Sequence, residues 1–209
     1  MISLPVYNKE GQEVETLKVD ETVFGGRVRF ALLKQAIVMY HANKRVGTAA
    51  TKNRSLVEGS TRKLYAQKHT GNARAGTLRT AKRVGGGVTF AKVARDFSKR
   101  MPKKQKHLAR DSAILSKLLS NNVVVIDQLK FEKPKTKDFA AILNNLKIDR
   151  SCLVMTAEHD DTIWRSLRNI PKISLMPAAE LNAGDICKYT KLLFTRDAFL
   201  SLLNKEKES

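Results

Sequence analysis

Between His41 and Arg110 the chain carries nineteen Lys and Arg and only two acids, Glu58 and Asp96. That third holds +17 of the protein's net +19; the remaining twenty basic residues face eighteen acids. A run of about seventy residues with so few acids repels itself unless an anion neutralises it, so the chemistry points to a polyanion, and first to RNA or DNA. The candidates for phosphate neutralisation are Lys44, Arg45, Lys52, Arg54, Arg62, Lys63, Lys68, Arg74 and Arg79, and then Lys82, Arg83, Arg95, Lys99, Arg100, Lys103, Lys104 and Lys106. Arg contributes a planar donor fork that can bridge phosphate oxygens or stack on a base, and Lys contributes a point charge. Gly71, Gly76, Gly85, Gly86 and Gly87 would let the backbone lie close against a phosphate. Tyr65, Phe90 and Phe97 are too few to make an aromatic platform for single strands the main binding mode.

Other chemistries fit less well. "GNARAGTL" (71–78) has the frame of a phosphate-binding loop, but Thr77-Leu78 stands where Lys-Ser or Lys-Thr must reach the terminal phosphates. "GGG" (85–87) follows no strand pattern and does not form G-x-G-x-x-G. His41, His69, His107 and His159 show no metal-ligand spacing. Cys152 and Cys187 lie in apolar segments without a C-x-x-C partner and read as reduced core thiols of a cytosolic protein. Asp127, Glu158, Asp160 and Asp161 fall near predicted strand ends and read as helix caps and solvated loop acids. No cofactor and no metal are expected.

Something must position the basic third. Apolar residues make up 42% of the chain and mean hydropathy is −0.33, enough for a core in a soluble protein. No run approaches the roughly 18 apolar residues of a membrane span, and the first residues lack a secretory pattern. Residues 1–19 predict a β-hairpin turning at Asn8–Gly11, and residues 27–42 a helix with Phe30, Leu33, Ile37 and Tyr40 on one face. Asp20 or Thr22 could cap the approach to that helix. From residue 44 to 100 periodicity disappears, as expected of an excursion that leaves a domain and returns. Each arm, about 28 residues, could reach at most roughly 90 Å. After Pro102 the helical period resumes, with Leu108, Ser112, Leu115, Leu118 and Leu119 on one face. Strands are expected at 123–126, 152–156, 172–176 and 186–190, and helices at 136–146, 161–170 and 195–204. The predicted class is α/β: a mostly parallel sheet flanked by helices in a Rossmann-like order of elements, with a long extended basic loop. The predicted organisation is a globular domain from 1–43 and 101–209, with an RNA-binding loop at 44–100 inserted in it.

The motifs of the basic third, read together, resemble one family. Thr51, Lys52, Arg54 and Gly59 match T-K-x-R with its following glycine. Gln67, Lys68, Thr70, Gly71, Ala73, Arg74, Gly76 and Arg79 match Q-K-G-T-G-x-A-R-x-G-x-x-R except at position 69. Gly85–Val88 with Phe90 match G-G-G-V-x-F, Arg95–Ser98 match R-D-[FY]-S, and Pro102–Lys104 match the P-K-K helix start. These blocks and the order of elements across nearly the whole chain resemble the bacterial large-subunit ribosomal protein four family. The resemblance implies a globular α/β domain on the solvent side of the large subunit. It also implies a loop threaded into large-subunit rRNA, early binding in assembly, and a loop tip lining the narrowest part of the peptide exit tunnel. The matching tip residues are Gln67, Lys68, His69, Thr70, Gly71 and Asn72. The implied partners are large-subunit rRNA, neighbouring large-subunit ribosomal proteins and the nascent polypeptide, with no membrane and no homo-oligomer. Two departures lie at the tip: His69 stands where the family has Gly, and Asn72 where it has Arg. Histidine takes positive φ at higher cost than glycine, which leaves room for a different local turn.

The function expected is therefore that of a structural rRNA-binding constituent, cytoplasmic on the ribosome and not an enzyme. An RNA-modifying enzyme with a basic substrate arm would need a glycine-rich cofactor turn after a strand, and none is present. A nucleic-acid chaperone would bind without one fixed site.

Overall fold

A computed structural model describes residues 1–131 and 133–207. The chain divides into two compact units: Met1–His41 with Arg100–Ser209, and Ala42–Lys99.

The first unit is α/β. Strands β1 (Ile2–Tyr7), β2 (Glu13–Val19), β3 (Val123–Ile126), β4 (Cys152–Thr156), β5 (Ile173–Pro177) and β6 (Lys191–Thr195) form one six-stranded sheet. Its order is β2-β1-β3-β6-β4-β5; only the β1–β2 hairpin is antiparallel. The helices are α1 (Phe30–Asn43), α2 (Lys103–Leu119), α3 (Thr136–Asn145), α4 (Asp161–Leu167), α5 (Ala183–Lys188) and α6 (Arg196–Lys207).

The central strands are apolar on both faces, as a sheet covered on both sides requires. Along β6, Leu192 and Phe194 join a core with residues of α2, α5 and α6, while Leu193 joins a second core with Phe139 and Ile142 of α3 and Ile163 of α4. β4 alternates the same way: Leu153 and Met155 face the first core, Cys152 and Val154 the second. Phe194 and Phe199 meet edge-to-face at 5.3 Å, within the first core.

Several local expectations change. Residues 186–190 are not a strand: Asn182 accepts a hydrogen bond from the Asp185 N–H (3.0 Å) and caps α5 through Lys188. The strand lies just beyond, at Lys191–Thr195, and is paired on both edges, between β3 and β4. Its apolar run Leu192–Phe194 is wholly buried, whereas Cys187 is exposed. Helix α1 buries Leu33, Ala36 and Met39, and Phe30 is 74% exposed. Apolar residues lie all round this helix, so spacing alone did not select the inward face. On α2 the buried set includes Ala109 and Ile114, while Leu119 is exposed. Pro102 sits at the N-cap position of α2, one residue before its first turn. Asp20 accepts from the Thr22 N–H and caps a short 3-10 turn (Glu21–Phe24) ahead of α1. Thr195 lies at the start of α6, where its hydroxyl oxygen accepts from the Ala198 N–H.

Candidate nucleic-acid interface

The second unit contributes no residue to either core, and Gly87 is its one buried residue. It is held instead by hydrogen bonds between an outgoing and a returning run. The Asn43 side chain donates to the Lys99 carbonyl (3.3 Å) and accepts from the Lys99 N–H (2.7 Å). Arg95 N–H donates to Gly47 O (3.2 Å), Thr51 N–H to Lys92 O (2.9 Å), and Val88 N–H to Lys52 O (2.9 Å). Further out, Leu64 N–H donates to Gly76 O (3.1 Å), and the Tyr65 hydroxyl bonds Ala73 O. Lys63 ties both runs, donating to Gln67 Oε1 (2.7 Å) and Ala75 O (3.0 Å). Residues 67–72 follow this closure.

Residues within the motif blocks also do local work. The Asn53 carboxamide accepts from the N–H groups of Ser55 and Leu56 and fixes a turn after the T-K-x-R block. Gly87 is buried because a Cβ there would lie 2.2 Å from the Arg54 nitrogen; at Gly86 a Cβ would lie 2.0 Å from Thr80 O. For these two glycines, close approach is to the unit's own backbone. Gly71 and Gly85 have positive φ and open space around them. His69 takes φ +65, a left-handed conformation adopted here by histidine where the motif has glycine.

The cations are presented outward. Of the basic candidates only Arg79 and Lys106 are half-buried; the rest are exposed. Arg79 packs beside Gly59, and its Nε is buried without a hydrogen-bond partner. Asp96, one of the two acids, is occupied locally: the Ser98 hydroxyl and N–H both bond its carboxylate and hold its pKa below the usual range. The sequence reading did not anticipate that Arg45 and Arg95 both lie over the Phe97 ring, 3.9 and 4.5 Å from its centroid. The R-D-F-S block carried the signal for Phe97, but the partner fifty residues earlier was not visible in spacing. In the first unit, Lys103, Lys106, His107 and Arg110 of α2 line a crevice of about 140 Å³ with Tyr40 and Asn182.

The strand ends offer no competing reactive centre. Asp160 caps α4 by accepting from the Thr162 N–H (2.8 Å) and hydroxyl (2.7 Å). Asp127 and Glu15 share Arg196, at 4.0 and 2.8 Å. Burial pushes the Cys152 thiol up to about 12, far from a nucleophile's range. Among the described residues no group of three His, Cys, Asp or Glu could hold a metal ion, and no helix is long and apolar enough to cross a membrane.

Comparison with known proteins agrees with the motif pattern. The family model described as "Ribosomal protein L4/L1 family" matches residues 17–205. The chain is 46% identical over 198 residues to the large ribosomal subunit protein uL4 of Pelotomaculum thermopropionicum, covering 95% of this chain and 96% of that one. It is 42% identical to the uL4 of Carboxydothermus hydrogenoformans, covering 97% and 98%. It is 44% identical to that of Dehalococcoides mccartyi, covering 94% of each. A match that runs through the hairpin, the basic third and the parallel sheet alike shows that this chain belongs to the ribosomal protein L4/L1 family.

Proposed function

We propose that this protein is a structural constituent of the large ribosomal subunit, cytoplasmic on the ribosome, without catalytic activity, that binds large-subunit rRNA and supports subunit assembly. The observation that carries this reading is the second unit. It has fourteen Lys and Arg, two acids and no apolar core, so its missing interior is supplied by RNA. In this reading residues 44–100 are a long extended basic loop inserted into a domain of 1–43 and 101–209, whose Rossmann-like alternation of strands and helices serves as a rigid mount. Lys44, Arg45, Lys52, Arg54 and the later cations neutralise phosphates, and Gly71, Gly76 and Gly85 permit close approach. Gln67–Asn72 form the tip that lines the polypeptide exit tunnel and meets the nascent chain. Neighbouring large-subunit proteins share the site; a second copy of this chain does not.

Sedimentation of tagged protein from lysate tests it. Co-migration with large subunits at one copy each, persisting in high salt, is expected of a component buried in RNA. Release to the top of the gradient at high salt would mean contacts with surface phosphates only, which weaken steeply with salt, and would return the protein to the class of transient binders.

A further inference from the structure

The two runs of the second unit part and rejoin near its base. One closure is the Arg95 N–H to Gly47 O bond; the other is made by Thr51 with Lys92, both through Thr51 N–H to Lys92 O and through Lys92 N–H to Thr51 Oγ1 (2.8 Å). Between them none of Thr48, Ala49, Ala50, Val93 or Ala94 makes a backbone hydrogen bond to the protein. The half-open space between them is about 720 Å³, inside the roughly 300–1,000 Å³ range of small-ligand pockets. It is lined by Gly47, Thr48, Ala49, Ala91, Val93 and Ala94, with Arg45, Lys92, Arg95 and the Phe97 ring, and by no acid.

The shape is built in. Gly47 has φ +74, and a Cβ there would lie 2.2 Å from Arg95 O and 2.9 Å from the Phe97 ring. Only glycine lets the chain close over that ring. Phe97 in turn holds two guanidinium groups that would otherwise repel each other, each within 4.5 Å of the centroid. Stacked on the ring, each guanidinium keeps its N–H edge free for a phosphate. A groove that only tracked the RNA backbone would need exposed cations but no opening between the runs. The opening adds a cleft of mostly small side chains whose unpaired backbone N–H and C=O groups can read the edge of a base.

We infer that this opening is a nucleotide pocket: it takes one unpaired, looped-out nucleotide of the bound rRNA, with the base between residues 48–49 and 91–94 and the phosphate on Arg45 and Arg95. Looped and bulged nucleotides are those whose bases are free to be read this way, since no pairing has to be broken. This rests on the rRNA-binding reading above and adds a site to it.

The test uses the full chain and an in vitro transcript of large-subunit rRNA, with affinity measured from low to high salt. Ala49→Leu and Ala94→Leu fill the slot without touching charge. Each is expected to weaken binding about tenfold or more while leaving the slope of log affinity against log salt unchanged. Arg45→Ala and Arg95→Ala are expected to weaken binding and lower that slope by about one each. Val14→Leu, at an exposed position of the first unit that lines no part of the slot, is expected to bind as the parent does. Acylation of RNA 2′-hydroxyls should show one unpaired nucleotide protected by the parent protein and exposed with Ala94→Leu, its flanks unchanged. Leucine variants with parental affinity and footprint would overturn the pocket while leaving rRNA binding intact. A parent protein that does not select large-subunit rRNA would overturn the underlying reading as well.

Discussion

Asp160 shows how a single residue works here and how its contribution varies with pH. Its carboxylate accepts from the Thr162 hydroxyl and N–H at the head of α4, and these bonds hold its pKa below the usual carboxylate value. A depressed folded pKa gives stability that is present above the unfolded value, about 3.9, and is lost as pH falls through the folded one. Asp160→Ala is expected to lower unfolding free energy by about 1 kcal/mol at pH 7, and the deficit should shrink toward zero in acid. Urea unfolding of both proteins at pH 7 and pH 3 checks it; a deficit that stays constant would mean the cap acts without its charge. At this scale the sequence already gave good guidance on exposed cations, because Lys and Arg in an acid-free, aperiodic run have nowhere to bury. It gave none on the Arg45–Phe97–Arg95 stack, since contacts between residues fifty apart depend on where two runs meet. His69 departs from the family motif, and its backbone adopts φ +65, the left-handed region that glycine occupies at least cost.

The two kinds of element respond differently to substitution. Phe194 on the central strand β6 is fully buried and packed against Phe199, so Phe194→Ala should cost about 3–5 kcal/mol in denaturant titration, by lost burial and the cavity left behind. Gly87→Ala places a methyl group 2.2 Å from the Arg54 backbone and must distort the turn there. That distortion falls in a unit with no core, so the global melting transition should hardly move while rRNA affinity drops. A large shift in melting for Gly87→Ala would show that the second unit is coupled to the fold after all. Most elements were readable from period and caps: the hairpin, α2, α3, β3, β4 and β5 lie within a residue or two of expectation. The segment 183–195 was not. "ICKYT" and "KLLFT" are both short apolar runs, and only pairing decides which one becomes the strand. "KLLFT" is the run that fills the gap between β3 and β4, and Asn182 commits the other to a helix.

For the whole molecule, the contrast between the units predicts their dynamics. The first unit has two cores, one on each face of its sheet; the second has one buried residue and a sparse set of hydrogen bonds open to water. In hydrogen exchange on the free protein, amides of β3, β4 and β6 should be protected close to the global stability, and those of 42–99 should exchange orders of magnitude faster. Binding large-subunit rRNA should slow the second set. Equal protection of both sets in the free protein would contradict the view that RNA supplies the interior of that unit. The sequence by itself determined the class of the protein. Strand and helix periods set an α/β domain, the +17 concentrated in one third set a polyanion as partner, and the motif blocks set the family, because all of these are local in the chain. Tertiary structure decided the rest: which apolar run is the central strand, which face of α1 turns inward, why Gly87 must be glycine, and that Arg45 and Arg95 share one ring beside an open slot. Each of these depends on a contact between segments distant in sequence, and burial and close approach exist only once the chain has folded.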